Sequence, residues 1–143
     1  MRLEYRDLSF DDLQGDLVAD YLVAVDAHLF VTDGDRVVYD EPYFPVVELA
    51  RALAAWAEDP ARDDFRFVTL SSDVIGLVTI EREGTAWSVY SVNDPSRRSS
   101  PAADDEVVMW VREFVDRVRG DLYARGVDAD HVLGLEPRGD DRP

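Results

Sequence analysis

The sequence predicts an α+β domain: one mainly antiparallel sheet of about six strands with two amphipathic helices on one face, in the order β-β-β-α-β-β-β-α. Three observations lead there. Strand-like alternation recurs in short runs separated by turn residues. Only two segments carry a helical stripe of apolar residues. A parallel doubly wound sheet needs a crossover helix for nearly every strand, and two helices are too few.

Leu3 to Phe10 reads as the opening strand, with Leu3, Tyr5 and Leu8 as its apolar positions, and Asp11, Asp12, Gln14 and Gly15 turn the chain. Leu17 to Thr32 carries the longest extended signal. Tyr21, Val23, Val25, Ala27, Leu29 and Val31 alternate with Asp20, Leu22, Ala24, Asp26, His28 and Phe30, which puts the two sets on opposite strand faces. Asp33-Gly34-Asp35 lies between apolar runs and signals a hairpin, whose return strand is Arg36 to Asp40. Glu41-Pro42-Tyr43-Phe44-Pro45 breaks the sheet, and Pro45 suits a helix start because its missing N–H has no partner there. Val46 to Ala57 follows as a helix that is apolar around most of its circumference, with Glu48 and Arg51 marking its wet side.

Beyond the Glu58–Asp64 loop, Phe65 to Leu70 and Val74 to Arg82 read as strands, Glu83-Gly84 as a turn, and Thr85 to Val92 as the returning strand. Asn93 to Asp105 is a loop. Val107, Val111, Phe114, Val118 and Leu122 then recur at three- and four-residue spacing, which predicts a helix from Asp104 or Asp105 to about Tyr123. Val127 to Leu135 has room for one more turn. Residues 1–135 form the expected domain, and Glu136 to Pro143 is expected to be a disordered tail.

Composition narrows the function. The chain has 143 residues and no cysteine, which excludes a disulfide scaffold, a thiolate metal site and a cysteine nucleophile. Acidic residues outnumber basic ones 31 to 15, for a net charge of −16, and every basic residue is arginine. A folded chain of this size exposes about 7,500 Å², so the excess negatives make a strong field. Nucleic acid and anionic membrane, which demand a positive face, are not expected partners. No run of about 18 apolar residues would span a bilayer, and the charged start MRLEYRDLSFDD lacks the apolar core of a signal peptide, so a cytoplasmic location is expected. The charge itself has three readings: a proteome-wide habit of halophiles or high-GC bacteria, docking on a basic protein surface, or mimicry of nucleic acid.

Catalytic signals are sparse. Asp26 and His28 stand two apart on a strand face, where a carboxylate can orient an imidazole as a general base. Asp128, Asp130 and His131 resemble part of a hard-metal site, but the central Gly and terminal Glu of an EF-hand loop are not in register, and a capping acid at a short helix start is the preferred reading. Asp104-Asp105-Glu106 suits a helix N-terminus through the macrodipole. No metal and no cofactor is expected.

The unusual segment is Val38 to Ala50, where an acidic strand end meets two aromatics held between prolines and then a helix. Prolines fix the approach of Tyr43 and Phe44, and rigid aromatics suit interface centres. Asp33, Asp35, Asp40 and Glu41 flank the hairpin leading to them, and these six residues are the candidate partner-binding set. This segment, the helix VVELARALAAWAED, a later hairpin with Trp87 and a C-terminal amphipathic helix together resemble a family of small acidic uncharacterised proteins of Streptomyces and related actinobacteria. These are similar in size and layout to immunity proteins of polymorphic toxin systems. The resemblance implies a non-enzymatic protein-binding module, an immunity-type inhibitor whose partner is a toxin with a basic surface. The alternatives are a small enzyme using Asp26 and His28, and a nucleic-acid-mimicking acidic protein.

Overall fold

In a computed structural model, which describes residues 1–135, the elements run β1 (Arg2–Ser9), α1 (Val18–Ala24), β2 (Asp26–Asp33), β3 (Arg36–Phe44), α2 (Val46–Glu58), β4 (Phe65–Arg66), β5 (Thr79–Glu83), β6 (Ala86–Tyr90), β7 (Ala102–Ala103), α3 (Asp104–Ala124) and α4 (Ala129–Val132). The expected tail at 136–143 lies outside the described residues. The architecture is α+β with antiparallel pairing throughout, but the strands divide between two sheets, ordered β1-β2-β3 and β4-β5-β6-β7.

A single six-stranded sheet fails to form because the edge of β6 is already taken. Ala86 and Trp87 pair with Ala103 and Ala102, and farther along Val89 exchanges bonds with Ser99: the Ser99 N–H donates to the Val89 carbonyl at 2.9 Å and the Val89 N–H to Ser99 Oγ at 2.8 Å. The two sheets are instead joined by side chains. At the β2–β3 turn, Asp33 Oδ2 accepts from the Ser100 N–H at 2.7 Å, and Arg36 donates to the Arg98 carbonyl at 2.5 Å.

The segment read as one long strand from Leu17 is a helix followed by a strand. Val18, Tyr21, Leu22 and Val25 stand at i, i+3, i+4 and i+7, so a helical period fits them as well as alternation does. Asp20 decides locally, its carboxylate accepting from the Leu17 N–H at 3.0 Å and closing the first turn. From Asp26 the chain is extended, and Ala27, Leu29 and Val31 are buried on one face. The strands expected over 65–70 and 74–82 are shortened to Phe65–Arg66 and Thr79–Glu83, and a loop connects them.

The core lies between the inner faces of the sheets and the paired helices α2 and α3. Val25, Leu29, Leu49, Leu53, Val107, Phe114 and Leu122 are fully buried, while Tyr21 and Trp110 pack at its margin. The Tyr5 and Phe114 rings meet edge to face at 5.8 Å. Tyr5 OH donates to Asp121, and burial first, with that acceptor second, pushes its phenol well above the usual range. Trp56 of α2 stands edge-on to both Phe65 and Trp87, at 6.0 and 5.3 Å, and so ties the helix to the second sheet. Asp104 opens α3 by accepting from both Arg62 Nη2 (2.6 Å) and Trp87 Nε1 (3.1 Å).

Two outcomes follow. Phe114→Ala should lower unfolding free energy by about 3–5 kcal/mol in denaturant titrations. Asp33 is held below its ordinary pKa chiefly by the Ser100 N–H, and Asp104 chiefly by Arg62. Depressed carboxylates contribute stability that is complete above their unfolded pKa and is lost as pH falls through the folded value. Stability should therefore drop as pH falls below about 4, and the Asp33→Asn/Asp104→Asn double variant should show a flatter slope there.

Candidate functional site

Tyr43 sits at a β-bulge. Between the register pairs Ala27↔Phe44 and Leu29↔Glu41, one residue of β2 faces two of β3, Pro42 and Tyr43. Pro42 has no N–H to give to a ladder, which suits it to this position. Tyr43 takes up the bulge in the left-handed region, at φ 56°, a conformation that crowds any side chain and is an outlier for a bulky one. Its ring is 83 % exposed. Phe44, the next residue, is 1 % exposed and packs on Phe67 at 5.4 Å and Tyr39 at 6.4 Å. The two aromatics therefore have opposite roles: Phe44 anchors the strand end in the core and Tyr43 is presented to solvent. The expectation of Phe44 as a surface anchor is corrected by its burial.

The four acids do not gather around Tyr43. Asp33 is engaged by Ser100 and Arg36, and Asp35 lies exposed in the turn beside it. That turn is eight residues from Tyr43, roughly 25 Å along a strand. Asp40 and Glu41 are consecutive, so they point to opposite faces: Asp40 stands across from Phe30 on the outer face, and Glu41 across from Leu29. The Asp26–His28 dyad does not form either. His28 Nε2 lies 3.0 Å from Asp40 Oδ1, and its ring stacks on Phe30 at 4.3 Å. Asp26 is instead pushed above the usual carboxylate range by partial burial and by Asp12 and Asp11.

The C-terminal acids have structural partners. Asp128 caps α4 by accepting from the His131 N–H, and Asp130 pairs with Arg119 at 2.7 Å. Among the described residues, no group of three or more potential ligands is placed to hold a metal ion.

Glu48 supplies what sequence reading missed. Expected on the wet side of α2, it is buried. One carboxylate oxygen accepts from the Thr69 hydroxyl, and the other from the Leu70 N–H at 3.0 Å. Arg51, also expected outside, donates to the Val132 carbonyl at 2.8 Å and fixes α4. The Glu48 clamp holds the chain at 69–70 against the start of α2 and turns Leu70 outward, 68 % exposed. The rest of the loop is tied backbone to backbone. The Gly76 N–H donates to the Phe67 carbonyl, and the Val92 N–H to the Gly76 carbonyl. Gly76 has φ 92°, and a Cβ there would come within 2.7 Å of Val92, so only glycine allows the two segments to lie this close.

Three neighbouring stretches thus expose Val68, Leu70, Val74, Ile75 and Val92 together. Phe44 and Phe67 meet in the core at 5.4 Å, so Tyr43 precedes and Val68 follows a residue of the same core contact. An exposed apolar cluster of this kind marks an interaction surface more often than chance. Its sequence signal was the apolar residues left on the outer side of the Phe65–Leu70 alternation and in the run Val74-Ile75. Glu48→Ala should cost about 3 kcal/mol through two orphaned donors, and amide exchange at Leu70 and Ser71 should accelerate more than in β5.

Neither the curated proteins nor the solved structures contain a match to this chain. A family known as a domain of unknown function (DUF7878) matches residues 1–124, from β1 to the end of α3. The chain belongs to that family.

Proposed function

We propose that this protein is a non-enzymatic binding module that docks on a basic protein through Tyr43 and the exposed apolar residues of the loop after β4. The observation that carries this reading is the strained, outward-facing Tyr43. Backbone strain at a bulky residue costs of the order of 1–3 kcal/mol, persists only where the surrounding structure over-determines it, and clusters at functional sites. An exposed aromatic on a rigid strand end can be buried by a partner with little loss of conformational entropy. The loop residues Val68, Leu70 and Ile75 add exposed apolar surface to such an anchor.

The charge of −16 sets the partner's class. A body so negative repels acidic proteins and accelerates encounter with basic ones. The acids are dispersed over the molecule, several already engaged by arginine. Their role in this reading is long-range steering, while Tyr43 and the loop determine residence time. Within this class we favour an immunity-type inhibitor of a toxin whose active surface is basic, on the strength of the size, acidity and layout described above.

The test uses the product of the adjacent gene, co-expressed and purified with this chain. Tyr43→Ala should weaken the complex roughly 30-fold or more, chiefly through faster dissociation. Raising salt from about 50 to about 500 mM should slow association and leave dissociation nearly unchanged. A complex indifferent to both Tyr43→Ala and Leu70→Ser would refute this surface. One that does not respond to salt would refute electrostatic steering.

A further inference from the structure

Among the described residues, β1 is the outer strand of the three-stranded sheet, and only its inner edge is paired, with β2. Its register to β2 is regular from Arg2 to Arg6. Interruption comes only beyond, where Asp7 adopts φ 59° and the pairing shifts before Ser9. Edge strands that stay monomeric are ordinarily blunted along their length by bulges, proline or charges pointing inward. Here the bulge protects one end, and the inward side chains of the regular stretch, Leu3 and Tyr5, are apolar and buried. A helix borders this edge. A shallow groove of about 230 Å³ runs between Arg2, Leu3 and Glu4 on β1 and Trp110, Glu113 and Arg117 on α3. An added strand would thus find both free backbone groups and a partly exposed tryptophan.

We infer that β1 pairs antiparallel with β1 of a second copy of this chain, joining two three-stranded sheets into one of six strands. The reason for a second copy is that the edge is complementary to itself. The outward residues alternate in sign, Arg2, Glu4 and Arg6. With the two-fold axis at Leu3, Arg2 of each copy stands opposite Glu4 of the other, and both cross-strand pairs are attractive. On the inner face the same register sets Leu3 against Leu3 and Met1 against Tyr5, all apolar. With the axis one residue on, at Glu4, Glu4 would face Glu4 and Arg2 would face Arg6 on both sides of it, six charges in three repulsive pairings. Charge therefore excludes the register centred on Glu4; an axis at Tyr5 would again pair Glu4 with Arg6, but it sets Leu3 against Asp7, where the left-handed backbone interrupts the strand. Two bodies of −16 also repel each other at long range. Salt screens that repulsion, so dimerisation strengthens with ionic strength, opposite in sign to the response expected for a basic partner.

Sedimentation equilibrium of the full chain at about 50 and about 500 mM NaCl tests this directly. The expected result is a concentration-dependent dimer that grows with salt. Glu4→Arg should weaken it about tenfold, because two attractive pairs become repulsive. The exchange variant Arg2→Glu/Glu4→Arg should restore it, because the pairs are reversed and still complementary. Circular dichroism would confirm that all three chains are folded. A monomer at every salt concentration overturns the inference. So does a dimer unchanged by Glu4→Arg, or one abolished by Tyr43→Ala, since either places the contact away from β1. The reading of Tyr43 as a partner anchor stands or falls separately, on its heterologous complex.

Discussion

The first turn of α2 is the constraint on which the rest of the structure depends. Val46, Val47, Glu48, Leu49 and Ala50 are five consecutive buried residues, so the helix is enclosed on every side at this point. It can be so only if its polar member finds partners inside, because a buried carboxylate without donors is very costly. Thr69 and Leu70 supply them. Further along, Trp56 reaches Phe65 and Trp87, and Arg51 reaches the carbonyl of Val132. One helix thereby fixes the first sheet, the loop after β4, the second sheet and α4. The two sheets need no shared ladder because this helix, with the Asp33 and Arg36 links, holds them together.

Around this rigid centre the molecule presents residues that folding alone would hide. Tyr43 is turned out by a bulge in which Pro42 and a left-handed backbone replace regular pairing. Leu70 is turned out because its own N–H is held from the inside by Glu48. Phe44 and Phe67 pack as a pair directly beneath, so the exposed segments have little freedom to retreat. A binding surface that is rigid before encounter loses less entropy on association, and that is the physical content of the proposed role.

Much of this was legible in the sequence, and the failures have identifiable causes. The two long helices and the β2–β3 hairpin follow from strong periodicity and from Gly34. Residues 17–24 were misread because alternation and helical period coincide at Val18, Tyr21, Leu22 and Val25, and the deciding bond is a single carboxylate, Asp20 to the Leu17 N–H. The division into two sheets was invisible because it turns on Ser99, a loop residue occupying the β6 edge. Tyr43 was flagged by its flanking prolines, but Phe44 beside it could not be told apart, since a bulge decides which ring faces inward. Glu48 was missed because an acid in a first helical turn is ordinarily a solvated partner of the helix dipole. Only the tertiary placement of Thr69 and Leu70 makes it a core residue.

The central claim is that Tyr43 is displayed at a cost to the fold. Replacing it by glycine removes a ring that buries almost nothing and relieves a left-handed backbone that glycine adopts freely. Equilibrium unfolding of Tyr43→Gly against the parent chain measures that cost most directly. The account predicts a variant more stable by about 0.5–1 kcal/mol. A variant that is less stable would mean that Tyr43 contributes to holding the fold, and would contradict the view that the strand end is strained in order to present it.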